Sequence, residues 1–225
     1  MRCAPGHAAA PGPGASFTTT LSRSLQGSLR LDHAALDEII RNRRTIKPPM
    51  MSDRPVPEED LRAILENANW APSHGLTEPW RFKIYRGEAR ARLADALGKL
   101  YETAIPTAEQ KEGKADKLRE MPKRAPVVIL VCMERQKIEK IRELEEIEAV
   151  ACAVQNMHLT AASRGLGAFW STPPFLYTRD MTEWLGLGEK DRCLGIFYLG
   201  YPADGQSWPK GRRRTIEDKL EFHDV

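Results

Sequence analysis

The segment Trp70–Phe82 combines side chains that could hold a ligand with residues that bend the backbone. Pro72, Gly75 and Pro79 interrupt regular structure, and the serine, histidine and threonine between them supply hydrogen-bond donors. Loops on a rigid scaffold often carry binding residues. The segment is therefore a candidate site for a flat or anionic ligand. His74 alone is more typical of a loop histidine with a local hydrogen bond than of a catalytic acid.

Two basic clusters could bind an anionic group. Arg43, Arg44 and Lys47 stand with Thr45 at the end of a predicted helix, a grouping suited to phosphate through charge-assisted hydrogen bonds. The second cluster, Lys210–Arg214, lies in the C-terminal tail. Basic residues also favour helix C-termini and solvated turns, so neither cluster is decisive alone.

A third candidate is the segment Trp170–Pro173, which follows a short predicted strand. Ser171 and Thr172 could place backbone donors against a heterocycle, although Trp170 could equally belong to the core. The sequence contains no P-loop, no Rossmann glycine fingerprint and no nucleophile elbow. Its five histidines form no i, i+4 pair, so no metal site is predicted. The candidate residues that remain are those that could bind an anion or a flat ring.

Length and composition predict one soluble globular domain. The chain has 225 residues, of which 41% are hydrophobic and 29% are charged. Its net charge of +3 comes from 34 basic and 31 acidic residues, which does not indicate a polyanion partner. No apolar run approaches the length of a membrane span, so we expect no membrane partner.

The first acidic residue is Asp32, and residues 1–31 are rich in small and polar residues that cannot build a core. We expect a disordered leader there and a folded domain over residues 32–225. The leader also resembles an organellar transit peptide, but a misplaced start codon would look the same. We expect a cytoplasmic location, or an organelle if the leader is a transit peptide.

Four cysteines are present: Cys3, Cys132, Cys152 and Cys193. They form no C-x-x-C pair, and the last three sit within apolar segments. This pattern predicts free, buried thiols in a reducing compartment, without a disulfide framework or a zinc site.

Helical and strand patterns alternate along the chain and predict an α+β domain with helices packed over a mixed sheet. The continuous β-rich run Ala125–Cys132 is typical of a central strand covered on both faces. The other predicted strands are Arg81–Tyr85, Ala168–Trp170 and Arg192–Leu199; the predicted helices are 32–43, one starting at Pro57, Arg90–Leu100, and a long one that ends before Gly165.

The order of four motifs carries more information than any one of them. The motifs are R-R-T-I-K from Arg43, A-P-S-H-G-L-T-E-P-W-R-F from Ala71, G-L-G-A-F-W-S from Gly165, and Y-L-G-Y-P from Tyr198. Together they resemble the FMN-dependent nitroreductase family, most closely its compact single-domain NAD(P)H nitroreductase-like members. The resemblance spans about Asp32 to the C-terminus. It implies a three-layer α/β/α sandwich with a mixed, mainly antiparallel sheet, and a domain-entwined homodimer with FMN at the subunit interface.

The resemblance also implies residue roles. Arg43, Arg44 and Thr45 match the segment that contacts the FMN phosphate and ribityl chain, and Lys47 matches a cation near the pyrimidine edge of the ring. Trp70 and His74 match a loop that reaches the flavin of the other subunit. The backbone of Ser171 and Thr172 corresponds to the part that approaches the flavin ring. Lys210 with Arg212 corresponds to a C-terminal phosphate clamp, a role that Arg213 or Arg214 could fill after a one-residue shift.

The implied activity is ping-pong reduction of nitroaromatic, quinone or related small acceptors by NAD(P)H, in which FMN carries the hydride and no dedicated acid or base is needed. Glu78 and the Ser171-Thr172 pair depart from the pattern of many relatives, which leaves the acceptor and the choice between NADH and NADPH open. A reductive dehalogenase or a flavin-consuming enzyme of the same fold is an alternative. A basic nucleic-acid-binding module is another, but neither basic cluster has interleaved aromatic residues.

Overall fold

A computed structural model describes residues 32–138 and 140–223. The predicted leader lies outside the described residues. The chain divides into two units, residues 1–37 and residues 38–225, and the sheet with all the predicted site residues belongs to the second. The domain boundary at residue 32 stays a prediction.

The described residues form six α-helices and a four-stranded sheet, joined in places by single 3-10 turns. The helices are α1 His33–Asn42, α2 Glu58–Asn69, α3 Ala89–Ala104, α4 Lys114–Glu120, α5 Glu143–Ser163 and α6 Arg179–Trp184. The strands are β1 Trp80–Arg86, β2 Val127–Met133, β3 Gly167–Ser171 and β4 Arg192–Gly200.

The strands pair in the order β1-β2-β4-β3, and each of the three pairings is antiparallel. β2 and β4 are therefore the inner strands, which confirms the central place predicted for the run Ala125–Cys132. A single parallel bridge joins Thr45 to Ala168 on the outer side of β3. This bridge is the point at which the first basic cluster meets the sheet.

Every residue of β2 is buried, and alternate side chains enter two different apolar clusters. Val127, Ile129 and Val131 pack with residues of α2 and α5 on one face of the sheet. Val128 and Leu130 pack with residues of α3 and α4 on the other. Because side chains alternate along a strand, such a run requires a layer of helices on each side. The predicted α+β fold, a three-layer α/β/α sandwich, is confirmed for the single chain.

Two parts of the chain leave apolar side chains uncovered. None of the residues of α1 is buried, and Ile40 is half exposed. The tail after Pro202 is exposed over nearly its whole described length and contains Ile216, Leu220 and Phe222. Exposed apolar side chains clustered in this way are typical of surfaces that contact another molecule.

One prediction about the thiols is wrong. Cys132 and Cys193 are buried, as expected, but Cys152 is exposed. It lies on the outer face of α5, where the apolar neighbours Val150, Ala153 and Val154 point inward instead. Among the described residues, no helix is long and apolar enough to cross a membrane.

Candidate functional site

Three arginines converge where α1 ends. Arg43 is half-buried, and its pKa is lowered first by burial and then by the nearby charges of Arg213 and Arg44. Within the described part of the chain, no carboxylate forms an ion pair with any of the three. Like charges held together without a counter-ion destabilise one another. The cluster is thus electrostatically suited to an anion.

The tail packs directly on Arg44. A Cβ atom on Gly211 would lie 1.9 Å from Nη2 of Arg44, so a side chain at this position would require the guanidinium to shift. Nη1 of Arg44 donates to the backbone carbonyls of Arg41 and Arg43, at 2.5 Å and 2.8 Å. Nε of Arg44 is buried and has no partner in the described chain. A buried donor of this kind is expected to meet an acceptor that the protein itself does not supply.

The segment after the arginines is fixed along the edge of the sheet. The backbone N–H of Ile46 donates to the carbonyl of Ala168 at 3.0 Å, next to the Thr45 bridge. A Cβ on Gly167 would lie 2.5 Å from Cβ of Ile46, so glycine is needed for this close approach. Thr45 is therefore held beside the strand that leads to Ser171.

The end of β3 carries the third group of predicted residues. Ser171 is half-buried and pairs with Ile196, and Thr172 follows it as an exposed residue. Just before them, the indole of Trp170 lies over Gly195, where an added Cβ would come within 2.0 Å of Nε1. This Nε1 is buried and also has no partner among the described residues. Two buried donors without partners in the described chain thus lie near the Thr45 bridge. Nε of Arg44 precedes Thr45 in the chain, and Nε1 of Trp170 belongs to the strand that Thr45 bridges.

His158 is a site neighbour that the sequence analysis does not single out. It lies on α5, is buried, and packs edge to face against Phe197, with 4.8 Å between the ring centroids. Burial and then the charge of Arg43 lower its pKa to about 4, so the imidazole is neutral at pH 7. Its Nδ1 has no partner within the described residues. A histidine on the face of α5 that also carries Val150, Val154 and Ala161 is the sequence signal that could have found it.

The segment Trp70–Phe82, which contains the loop between α2 and β1, carries a second, separate group of predicted residues. His74 is exposed and its Nδ1 lies 2.5 Å from Oε2 of Glu145, near the start of α5. This contact lowers the pKa of Glu145. Trp70 is 79% exposed and donates to Glu66 at 3.2 Å. Leu76 and Glu78 have φ values of +55° and +43°, a region that non-glycine residues rarely adopt.

A buried ion pair holds the segment on which the His74 turn packs. Arg135 donates to Glu146, and both side chains are almost completely buried. Nη2 of Arg135 also donates to the carbonyl of Ile141 at 2.6 Å. Ile141 in turn packs under Gly75, where an added Cβ would lie 3.4 Å from Cδ1. The ion pair thus fixes the surface on which the His74 turn rests.

The two groups lie apart within one chain. His74 contacts Glu145 and Arg43 lies near His158, and these two positions on α5 are about 20 Å apart along the helix axis. The structure thus brings together Arg43, Arg44 and Thr45 with the edge that leads to Ser171 and Thr172, but not with Trp70 or His74.

The remaining predicted residues are exposed. Lys47 follows Thr45 by two positions, and Lys210 and Arg212 lie in the tail. The tail residues that reach the arginine cluster are Gly211 and Arg213. These assignments stay predictions.

Comparisons with known proteins show which family this chain resembles in sequence and structure. The Nitroreductase family matches residues 40–201 of the chain. The Bacillus subtilis protein YfhC, provisionally named an NAD(P)H nitroreductase, is 30% identical over 84% of this chain and 94% of its own length. A crystal structure of a nitroreductase-like family protein from Bacillus cereus is 30% identical, with a TM-score of 0.73 over 84% of this chain and 96% of that one.

A second solved structure contains a ligand. It is a protein from Desulfovibrio desulfuricans, provisionally named a nitroreductase, in complex with FMN. It is 25% identical to this chain, with a TM-score of 0.62 over 84% of this chain and 97% of that one.

Proposed function

Because the chain belongs to the nitroreductase family, we propose that it is an FMN-dependent oxidoreductase that uses NAD(P)H to reduce nitroaromatic, quinone or related small acceptors. One observation carries the proposal. Arg43, Arg44 and Arg213 converge with no carboxylate partner in the described chain, and Nε of Arg44 is buried without an acceptor. A phosphate monoester would neutralise this cluster and accept from the free donor.

The residues fit the parts of FMN in order. Arg43 and Arg44 would bind its phosphate, and Thr45 its ribityl chain. Lys47 would lie near the pyrimidine edge of the ring, and the backbone of Ser171 and Thr172 would approach the ring itself. When bound, FMN supplies the hydride chemistry, taking two electrons from NAD(P)H and passing them to the acceptor.

The protein contributes binding and orientation. The arginine charges would neutralise the phosphate, and the Thr45–Ala168 bridge holds the binding segment against the edge of the sheet. Rigid positioning lowers the entropic cost of bringing a hydride donor and an acceptor together. We assign no residue of this chain as a catalytic acid or base.

We also propose that the active form is a homodimer, in which Trp70 and His74 of one chain contact the flavin held mainly by the other. Two observations support this arrangement. The loop and the arginine cluster lie about 20 Å apart along α5 in one chain. In addition, the loop, α1 and the tail each expose apolar side chains that a second chain would cover.

The first experiment is the absorbance spectrum of the purified full chain, before and after addition of FMN. We expect flavin bands that NAD(P)H bleaches under anaerobic conditions and that an added nitroarene or quinone restores. Halogenated aromatics tested in parallel would separate a reductive dehalogenase from a nitroreductase. A colourless protein that does not take up FMN would contradict the proposal.

A further inference from the structure

Two cysteines face each other on the inner strands of the sheet, on the side away from His158. The register of β2 and β4 places Cys132 opposite Cys193, beside an irregularity that follows Val131. Both side chains are buried and belong to the apolar cluster shared with α3 and α4. His158, by contrast, packs on Phe197 in the cluster on the opposite face.

This pairing meets the geometric requirement for a cross-strand disulfide. Directly opposed residues of antiparallel strands have Cα atoms about 4.5 Å apart in non-hydrogen-bonded pairs and about 5.5 Å apart in hydrogen-bonded ones. Both values lie within the range of about 4.4–6.8 Å that disulfides span. Because Cys132 and Cys193 belong to the apolar cluster on one face of the sheet, their side chains lie on the same side of it, as a cross-strand disulfide requires.

The two buried thiols have different surroundings. Sγ of Cys132 lies 3.9 Å from the carbonyl oxygen of Leu130, and Sγ of Cys193 lies 4.0 Å from that of Gly195. The nearby Cys193 thiol and burial raise the pKa of Cys132 far above its usual range, whereas the nearby Cys132 thiol and the contact to Gly195 lower the pKa of Cys193. These opposite directions favour Cys193 as the nucleophile of the pair.

We propose that Cys132 and Cys193 form a redox-active dithiol that a hydroperoxide converts to an intrachain disulfide. The Cys193 thiolate attacks one peroxide oxygen, which breaks the O–O bond, leaves a sulfenic acid on Cys193 and releases hydroxide. The Cys132 thiol then attacks that sulfur, which forms the S–S bond and releases the sulfenic oxygen as water. The hydroxide takes up the proton that Cys193 lost, so two thiols and one hydrogen peroxide give one disulfide and two waters.

The surroundings of the pair select a small, uncharged oxidant. Tyr85 is half-buried against the same apolar cluster, and its own burial, followed by the charges of the two cysteines, raises the pKa of its phenol. Both cysteine side chains are almost fully shielded from solvent, so an oxidant enters only when the packing over the two inner strands opens locally. Cys152 on the outer face of α5 needs no such opening and serves as an internal comparison.

The test is treatment of the full-length, folded protein with hydrogen peroxide, followed by alkylation under denaturing conditions and peptide mapping without reductant. We expect a peptide that links Cys132 to Cys193, a mass loss of about 2 Da for the pair, and reversal by dithiothreitol. The Cys152→Ser variant should form the same link. The Cys193→Ser and Cys132→Ser variants should lose it entirely.

The wild-type peptide map alone can overturn the proposal, so a variant that fails to fold does not weaken the test. The proposal is wrong if Cys132 and Cys193 both remain alkylatable when Cys152 is already oxidised, or if either one links to Cys152 or Cys3 instead. It is also wrong if Cys193 gains oxygen atoms without forming the link. Circular dichroism before alkylation must show that the oxidised chain is still folded.

Discussion

Arg44 is the residue on which the proposed phosphate site depends most directly, because its Nε is a buried donor without a partner in the described chain. Replacing it with alanine removes a charge-assisted bond to phosphate, which is worth about 1.5–3 kcal/mol. We therefore expect Arg44→Ala to weaken FMN binding about 10- to 100-fold, measured by quenching of flavin fluorescence. Arg92→Ala, at an exposed arginine on α3, is the matched control and should bind FMN normally.

His74 allows a test of whether the loop contacts the flavin. It is exposed, and the one hydrogen bond of its ring to a described residue goes to Glu145, so its removal should leave the fold intact. We expect His74→Ala to lower FMN affinity while the circular dichroism spectrum and thermal midpoint stay close to those of the wild type. Unchanged affinity would show that this loop does not contact the flavin.

His158 links stability to pH. Its pKa is about 4 in the folded chain and about 6.5 in an unfolded one, so below pH 6.5 the unfolded state binds more protons. The stabilising contribution is complete above about pH 6.5 and is lost as the pH falls to 4, by about 3 kcal/mol in all. Urea unfolding between pH 4 and 7 should show this fall in the free energy of unfolding toward low pH. His158→Gln should remove it, and His223→Gln, at an exposed histidine, should not.

The turn between β2 and α5 depends on the Arg135–Glu146 pair. Removing one member leaves the other as a buried, uncompensated charge, which costs about 3–5 kcal/mol. We expect Glu146→Ala to lower the free energy of unfolding by this amount and to loosen the surface beneath the His74 turn. The exposed Arg81–Glu134 pair, at the beginning of the same turn, is the control. Arg81→Ala should cost no more than about 1 kcal/mol, and equal losses would contradict the assigned role.

The elements with the strongest periodicity are those that the sequence predicts well. The run Ala125–Cys132 corresponds to β2, and the pattern ending before Gly165 corresponds to α5. α4 and α6 are not predicted. Each is short and buries a single residue, Leu118 in one and Met181 in the other, so their apolar pattern is too brief to be recognised.

The candidate site also has features that the local sequence indicates and features that it does not. The grouping of Arg43, Arg44 and Thr45 can be read from the sequence because they are adjacent and belong to one motif, while their role in FMN binding stays a prediction. The approach of Arg213, the packing of Gly211 and the burial of His158 depend on contacts between distant parts of the chain. No local pattern encodes such contacts. The exposure of Cys152 was mispredicted for a related reason, since an apolar neighbourhood in sequence does not decide which face of α5 a residue occupies.

At the scale of the whole molecule, the exposed tail predicts how the chain associates. Ile216, Leu220 and Phe222 are 58%, 46% and 77% exposed, so a second copy is expected to bury them. We expect a dimer in analytical ultracentrifugation and a shift toward monomer for Phe222→Glu, without loss of secondary structure. Lys219→Glu, which changes charge in the same segment, should remain dimeric. A wild-type monomer that still binds FMN would contradict the dimer and leave the cofactor assignment standing.

The unusual backbone of the His74 turn has a consequence for the evolution of this chain. Leu76 and Glu78 adopt left-handed φ values, and each such residue costs about 1–3 kcal/mol. Selection for thermal stability alone would favour glycine or asparagine at both positions, since these residues tolerate that conformation. Such replacements would also remove part of the constraint on the turn that presents His74. If His74 contacts FMN as proposed, thermal stability and FMN affinity are expected to trade off at residues 76 and 78.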